Sequence, residues 1–449
     1  MDCFKLKYTI YTFFILVFLS CTSHYDETKT DDSPLELSIT NFETSNNQVK
    51  IDWKTIKPKG LIIENLYIYR LDKNLETDFI SEKRIANLPS NETTFIDYDV
   101  PYKKEVSYKI RINYRDERTT PIQYLNFESE EKKFTRQITS FTNVPFQVQK
   151  DPIQANIFHI LDKKGNGFLY KYNSSKNSFE YTKTFDNGNL LNNRFQIINN
   201  NEIYIADTKG KIFRLNAENY NTIGTYSTLI SDNLNAFAIS ANRIYYQDEE
   251  TWNFYDISTG LNNKAGLVTS MDYSEYLAND IFLFLYSQIG YDAKLFGFSP
   301  NTCNNLDCWP TFYNFPRNPT KTYSVDPNIF SWNSSKSKFI TSINGCVFNI
   351  SDMNIEKSLS DITGKRYFQF AFDSNNNIYA CVQAEKKIHV FNSKYELINI
   401  IDTKLFPLFP MKTDNGLKVI GSYEPISYWG FGYGYYFNFN MECAIETIN

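Results

Sequence analysis

The chain has 449 residues, 42% of them hydrophobic, which is long enough for two or three domains and apolar enough to bury them, so global disorder is excluded. Aromatic residues make up 17%, from 37 Phe, 33 Tyr and 5 Trp, and such rings favour strands, where they pack on a pleated surface. With a formal net charge of −5, no Lys/Arg-rich run and only three histidines (His24, His159, His389), the sequence lacks the footprint of a nucleic-acid binder and the imidazoles of a histidine-rich metal site.

Lys5 and Lys7 precede the apolar run FFILVFL, Phe13 to Leu19, which is shorter than the roughly 20 residues a membrane-spanning helix needs. A basic start, a short apolar middle and the small Ser20 before Cys21 describe a secretory signal over residues 1–20. Cys21 directly after that segment resembles a bacterial lipoprotein signal, with Phe18 standing where Leu is usual. The resemblance implies that Cys21 is lipidated and becomes the mature N-terminus. An ordinary signal peptide or an N-terminal anchor helix are the other readings of these residues. Residues 21–33 are almost wholly polar and read as a flexible acidic tether. A cysteine followed closely by Asp26, Glu27, Asp31 and Asp32 also resembles the export signal of surface lipoproteins in the Bacteroidetes. That implies an outer-membrane protein, lipid-anchored and exposed on the cell surface, with the membrane as its first partner.

From Leu35 apolar and polar residues alternate between turn signals. LELSITNFET, QVKIDWKTI, NLYIYRLD, FISEKRIANL, TTFIDYDV, VSYKIRINY and IQYLNFES predict seven strands, and seven short strands in about 100 residues predict a β-sandwich over 34–136. The residues resemble a fibronectin type III domain. Trp53 in KIDW sits where the core tryptophan of its second strand belongs, Tyr67 and Tyr69 in YIYR fit its third strand, and Tyr108, Ile110 and Ile112 in YKIRI fit its sixth. The resemblance implies a spacer or adhesion module and gives Tyr108 a structural role, its hydroxyl fixing a corner. A glycan- or protein-binding sandwich is the functional alternative.

Beyond 136 the chain repeats. FQIINNNEIYIADTKGKIFRLNAENYNTIGTY (195–226) has a partner in FAFDSNNNIYACVQAEKKIHVFNSKYELINII (370–401), each reading as four strands joined by turns. Segments 237–260 and 330–359 follow the same order, 158–185 and 276–300 are looser copies, and FPMKTDNGLKVIGSYEPISYWGFGYGYYFNFN is a seventh. Most steps are about 35 to 41 residues and one is about 58, a period that marks a β-propeller over 137–449. Seven blades are the preferred count, with six or eight open. The resemblance is to propellers of the NHL or quinoprotein-like kind, since no Trp-Asp dipeptide marks a WD repeat. The strand within 137–149 is placed to complete the last blade. Extra sandwiches are the competing fold.

Motifs for chemistry are few. DSNNNIYA (373–380) has oxygen donors at alternate positions, as calcium loops do, but lacks the glycine and distal glutamate of an EF-hand; it and DKKGNGFLY (162–170) read better as hairpin turns. GFGYGYY (430–436) precedes no helix that could hold a phosphate. Cys303 and Cys308 bracket CNNLDC, a short ring that an exported protein can close as a disulfide. Cys346, Cys381 and Cys443 lie in strand-like surroundings, and their odd number leaves at least one buried thiol. His159 and His389 sit between apolar neighbours and read as structural residues. The insert after Cys308 crowds Trp309, Phe312, Tyr313 and Phe315 among prolines where the repeat is broken, so its rings either stack on a sugar or partner, or fold back as a plug. Tyr428 and Trp429 form a second aromatic candidate.

No nucleophile elbow, zinc signature or carboxylate pair stands out, and no cofactor is called for. The expectation is an all-β outer-membrane lipoprotein that binds or scaffolds, recognising a glycan or a protein. The alternatives are a propeller glycoside hydrolase or lyase, with two acids about 5 to 10 Å apart at the central axis, and an accessory subunit of an outer-membrane transport or secretion complex.

Overall fold

The computed structural model describes residues 34–448 apart from 46–47, 74–79, 163–166, 186–193, 200, 208, 230–233, 235, 249–250, 268–271, 279–280, 286–293, 298–310, 314–325, 327–328, 353, 427–428, 432–433 and 437–440. Among the described residues the chain is all-β; the one helix, Leu359–Thr363, spans five residues, and none is long and apolar enough to cross a membrane. The chain divides into two compact units. The first ends at Phe134 and excludes Lys73–Ser81 and Pro101–Val106, which cluster with the second, from Thr135 onward.

In the first unit all seven expected strands form. Glu36–Thr44, Val49–Ile56 and Thr94–Asp97 make one antiparallel sheet; Ile80–Leu88, Leu61–Lys73, Glu105–Asp116 and Gln123–Glu128 make the other in that order, and Lys132–Thr135 also pairs with Glu105–Asp116. The two-residue alternation of a strand sends Val49, Ile51 and Trp53 inward from one sheet and Leu66, Ile68, Tyr108, Ile110 and Ile112 from the other. Phe42 meets Tyr108 across the gap, ring centroids 5.9 Å apart.

The second unit contains four-stranded antiparallel sheets in chain order. The first is Gln147–Lys150, Ile157–Asp162, Phe168–Asn173 and Ser178–Thr184; later ones start at Gln196–Ile198, Phe237–Ile239, Tyr273–Ala278, Phe330–Trp332, Tyr367–Phe372 and Phe406–Thr413. Second strands such as Glu202–Ala206 and Ile378–Val382 are mostly buried, whereas fourth strands such as Thr222–Ser227 and Leu397–Asp402 are mostly exposed. That gradient follows from stacking sheet on sheet: the inner strands are covered on both faces and read as continuous apolar runs.

Each sheet packs on the next. Leu161 and Leu169 of the first share a core with Ile203 of the second and Ile244 of the third. Tyr245 and Trp252 of the third meet Phe282 and Phe284 of the fourth, whose Leu283 meets Phe339 and Phe348 of the fifth. Ile340, Ile378 and Val419, from the fifth, sixth and seventh sheets, then join Phe158 and Tyr172 of the first. The seventh sheet takes Phe406–Thr413, Gly416–Ser422 and Cys443–Ile448 from the C-terminal end and Ser140–Phe141 from the start of the unit, paired as Cys443↔Phe141 and Ala444↔Ser140. Phe141 there contacts the rings of Tyr170 and Phe179 in the first sheet.

Two expectations shift in detail. The first repeat begins at Gln147, one strand earlier than the apolar pattern from Phe158 indicates, because Gln147–Lys150 has only Val148 as an apolar residue. Of 137–149, only Ser140–Phe141 joins the last sheet. The long fourth step places Thr311–Tyr313 as the outer strand of the fourth sheet, against Lys294–Gly297.

Candidate functional site

In both units the chemistry-bearing side chains cluster where strands from distant parts of the chain meet. In the first unit Asp97 Oδ2 accepts from Arg70 Nη1 at 3.0 Å and from the Tyr108 hydroxyl at 2.9 Å, and Asp97 Oδ1 accepts from the Asp99 N–H at 2.8 Å. Arg70 also donates to the Asp99 carbonyl at 2.7 Å. Burial opposes the Arg70 charge, but Asp72 and Asp97 outweigh it and raise its pKa; burial, then the Asp97 charge, pushes the Tyr108 hydroxyl far above its ordinary value. Tyr108 therefore has the structural role expected of it, with a carboxylate as its partner.

In the second unit the first strands of neighbouring sheets lie side by side and exchange side-chain bonds. Gln147 bonds both ways with Phe195, Nε2 to its carbonyl at 3.0 Å and Oε1 from its N–H at 2.8 Å. Gln196 Nε2 reaches the carbonyls of Phe237 and Ser274, both at 2.7 Å, and Ser331 Oγ reaches that of Phe370 at 2.7 Å. Short strands packed by their edges leave carbonyls that apolar residues cannot satisfy, which is why buried amides and hydroxyls stand there.

Glu275 lies on the first strand of the fourth sheet, Tyr273–Ala278. Its Oε2 accepts from the Tyr273 hydroxyl and from Trp332 Nε1 at 2.7 Å, and its Oε1 from Lys336 Nζ at 2.7 Å. Arg194, largely buried, donates to the Phe330 carbonyl at 3.2 Å and lies over the rings of Tyr273 and Phe330. Burial lowers its pKa, against the opposing pull of Tyr273, Glu275 and Asp326. Both oxygens of Glu275 are occupied by donors, the arrangement of an anchor rather than of an acid–base pair. Among the described residues no cluster of three His, Cys, Asp or Glu side chains could hold a metal.

The two histidines of the repeats are also anchors. His159 Nε2 lies 3.0 Å from Asp151 Oδ2 and Nδ1 lies 2.7 Å from the Tyr220 hydroxyl, so the neutral ring donates to the carboxylate and accepts from the phenol, tying the first sheet to the second. Burial lowers the His159 pKa against the pull of Asp151. His389 Nδ1 meets the Tyr367 hydroxyl at 3.1 Å, and burial lowers its pKa too. Cys346, Cys381 and Cys443 are all buried thiols. Burial pushes the thiols of Cys381 and Cys443 up.

Asp373 closes a hairpin turn, its Oδ1 accepting from the N–H groups of Asn375 and Asn377 at 2.9 and 2.8 Å and its Oδ2 from Asn377 Nδ2 at 2.8 Å, so that carboxylate is spent within the turn. A related feature escapes a reading by strand pattern alone. Asn173, Asn216, Asp256 and Asn349 each end a third strand and Asn392 directly follows one, and each side-chain oxygen accepts from the N–H two residues on. The signal is in the sequence: YNSSKN, LNAENY, YDIST, FNISD and FNSKYE place an aromatic or leucine before Asn or Asp at the same point of five repeats.

The aromatic candidates fall otherwise. Trp309, Phe315 and Tyr428 lie outside the described residues, as do Cys21, Cys303 and Cys308. Phe312 and Tyr313 are placed by backbone on the outer strand of the fourth sheet, opposite Phe296 and Leu295, and Trp429 on a short hairpin opposite Tyr436; their side chains are outside the described residues.

A set of four-stranded sheets bonded along their first strands, with the last sheet completed by the unit's own start, defines the second unit as propeller-type. No protein-family profile matches the sequence, and no curated protein matches it. Among solved structures the chain is similar to U3-55K (10% identity, 69% of this chain and 97% of that one, TM-score 0.47) and to the WD40 repeats of RRP9 (8% identity, 69% and 97%, TM-score 0.47). It is also similar to BamB from Moraxella catarrhalis (12% identity, 75% and 90%, TM-score 0.36).

Proposed function

We propose that this chain is a lipid-anchored scaffold of the outer membrane, facing outward, with a fibronectin type III-like sandwich over 34–136 and a seven-bladed propeller over 137–449, and that it recognises a protein partner. The observation that carries the binding role is the contrast between interior and rim. Most of the buried polar groups described above are spent on bonds within and between sheets, while outer strands such as Leu397–Asp402 expose aliphatic side chains. Ile398 and Ile400 on Leu397–Asp402 are 55% and 47% exposed, and among the described residues that strand pairs on one side only. Aliphatic strand edges suit a protein surface, whereas a sugar is held by flat rings.

Two measurements test this. Metabolic labelling with palmitate is expected to mark the wild type and to fail in Cys21→Ala; labelling of the variant would remove the anchor. Pull-down in mild detergent, checked against a glycan array, is expected to return one stoichiometric membrane protein whose retention drops in Ile398→Lys/Ile400→Lys. Glycan binding with no protein partner would overturn the protein reading.

A further inference from the structure

The first strands of the second, third and fourth sheets meet at one side chain. Gln196 Nε2 donates to Phe237 O of the third sheet and Ser274 O of the fourth. A primary amide has two N–H bonds, and these two carbonyls take both. Turning the amide over would set Oε1 against two carbonyl oxygens, so its orientation is fixed by its surroundings. Oε1 is left without a donor among the described residues, although Gln196 is only 5% exposed. Ser274 Oγ, on the strand that Gln196 reaches, is likewise without a partner among the described residues, and Ser274 is 0% exposed. Orphaned buried polar atoms are rare in folded proteins. Here an acceptor and a hydroxyl lie orphaned at one crossing of strands.

We propose that this crossing is a binding site for a single ordered water, which donates to Gln196 Oε1 and accepts from Ser274 Oγ. The ligand is neutral for an electrostatic reason. Arg194, two residues before Gln196, is largely buried and lies over the ring of Tyr273, next to Ser274, which disfavours a second cation. Glu275 and Asp326 already act on that guanidinium, which weakens its pull on an anion. A water has the donors and acceptors to satisfy both orphans, and buried waters make about three hydrogen bonds each. It links the second sheet to the fourth past the third, completing the seam of bonds along the first strands.

The test is a crystal structure of the full chain at about 2 Å or better, joined to thermal melts at equal ionic strength in sodium, potassium and choline chloride. The expected result is one solvent peak about 2.7 to 3.2 Å from both oxygens, with melting curves that coincide in the three salts. An empty site, a protein donor filling it, or contacts near 2.4 Å with a melting point raised by one metal cation would each overturn the assignment. Ser274→Ala serves as a second reading: the peak is expected to lose its Oγ contact and be weakened or absent. A peak unchanged in height and position would show that Ser274 does not hold it.

Discussion

Asp97→Ala probes the polar interior of the first unit. The substitution removes the acceptor shared by Arg70 and Tyr108, whose side chains are buried, and frees the Asp99 N–H. Breaking a buried ion pair from one side costs about 3 to 5 kcal/mol, because the remaining charge is left uncompensated. Arg70 keeps the Asp99 carbonyl at 2.7 Å and Asp72 at 3.3 Å, which places the loss at the lower end. At 1.36 kcal/mol per decade, a loss of about 3 kcal/mol corresponds to roughly 150-fold faster exchange wherever global opening of the unit governs it. Tyr108→Phe removes one bond to a charged acceptor that Arg70 still satisfies, so it is expected to cost about 1.5 kcal/mol. Hydrogen exchange by mass spectrometry on the full chain reads both in peptides covering Val49–Ile56 and Glu105–Asp116. Rates within about threefold of wild type for Asp97→Ala would refute the reasoning, as would equal acceleration in the strands of the second unit.

Other consequences are checked more simply. Tyr220→Phe leaves His159 Nδ1 buried without its donor and is expected to cost about 1 to 3 kcal/mol in denaturant melts of the second unit. Burial lowers the His159 pKa in the folded chain, so between that value and the ordinary 6.5 the unfolded chain binds more protons; stability is present above 6.5 and lost as pH falls through the folded value. Asp151, lowered against burial by His159 and two N–H groups, loses stability in the same direction at lower pH. Melts from pH 8 to 5 are expected to show this slope, and His159→Asn to flatten its upper part. Cys346, Cys381 and Cys443 are expected to resist alkylation in the native protein and react fully in guanidinium, as mass spectrometry of the peptides would show. A Cβ at Gly421 would stand 2.6 Å from Leu405 Cβ and 2.9 Å from the Phe406 carbonyl, so Gly421→Ala is expected to destabilise the seventh sheet by about 1 to 3 kcal/mol; an unchanged melt would contradict that crowding.

What the sequence makes legible is local. Period-two alternation locates Val49–Ile56 and Glu105–Asp116, and buried apolar runs locate the second strands of the repeats, because burial on one face or both writes itself directly into residue order. Gln147–Lys150 is missed as a first strand because strands at the seam spend polar side chains on a neighbour's carbonyls, and that breaks the apolar pattern. The networks of Arg70 with Asp97 and of His159 with Tyr220 join residues 27 and 61 positions apart, so nothing in a local window announces them. The turns begun by Asn173, Asn216 and Asn392 are legible once the repeats are aligned on their third strands, where the same side-chain geometry recurs. Of the aromatic candidates, Phe312 and Tyr313 turn out to be placed on a paired strand, which a proline-rich surrounding obscures.

The most direct test of the account concerns closure of the ring. Ser140→Cys with Ala444→Cys, in a Cys443→Ala background, places two thiols at paired positions of the seventh sheet, one from the start of the unit and one from its end. The account predicts a disulfide-linked peptide joining these positions after mild oxidation of the native protein, with a raised melting temperature. Two free thiols under those conditions, in a protein that is otherwise folded, would contradict a last sheet sealed by Ser140–Phe141.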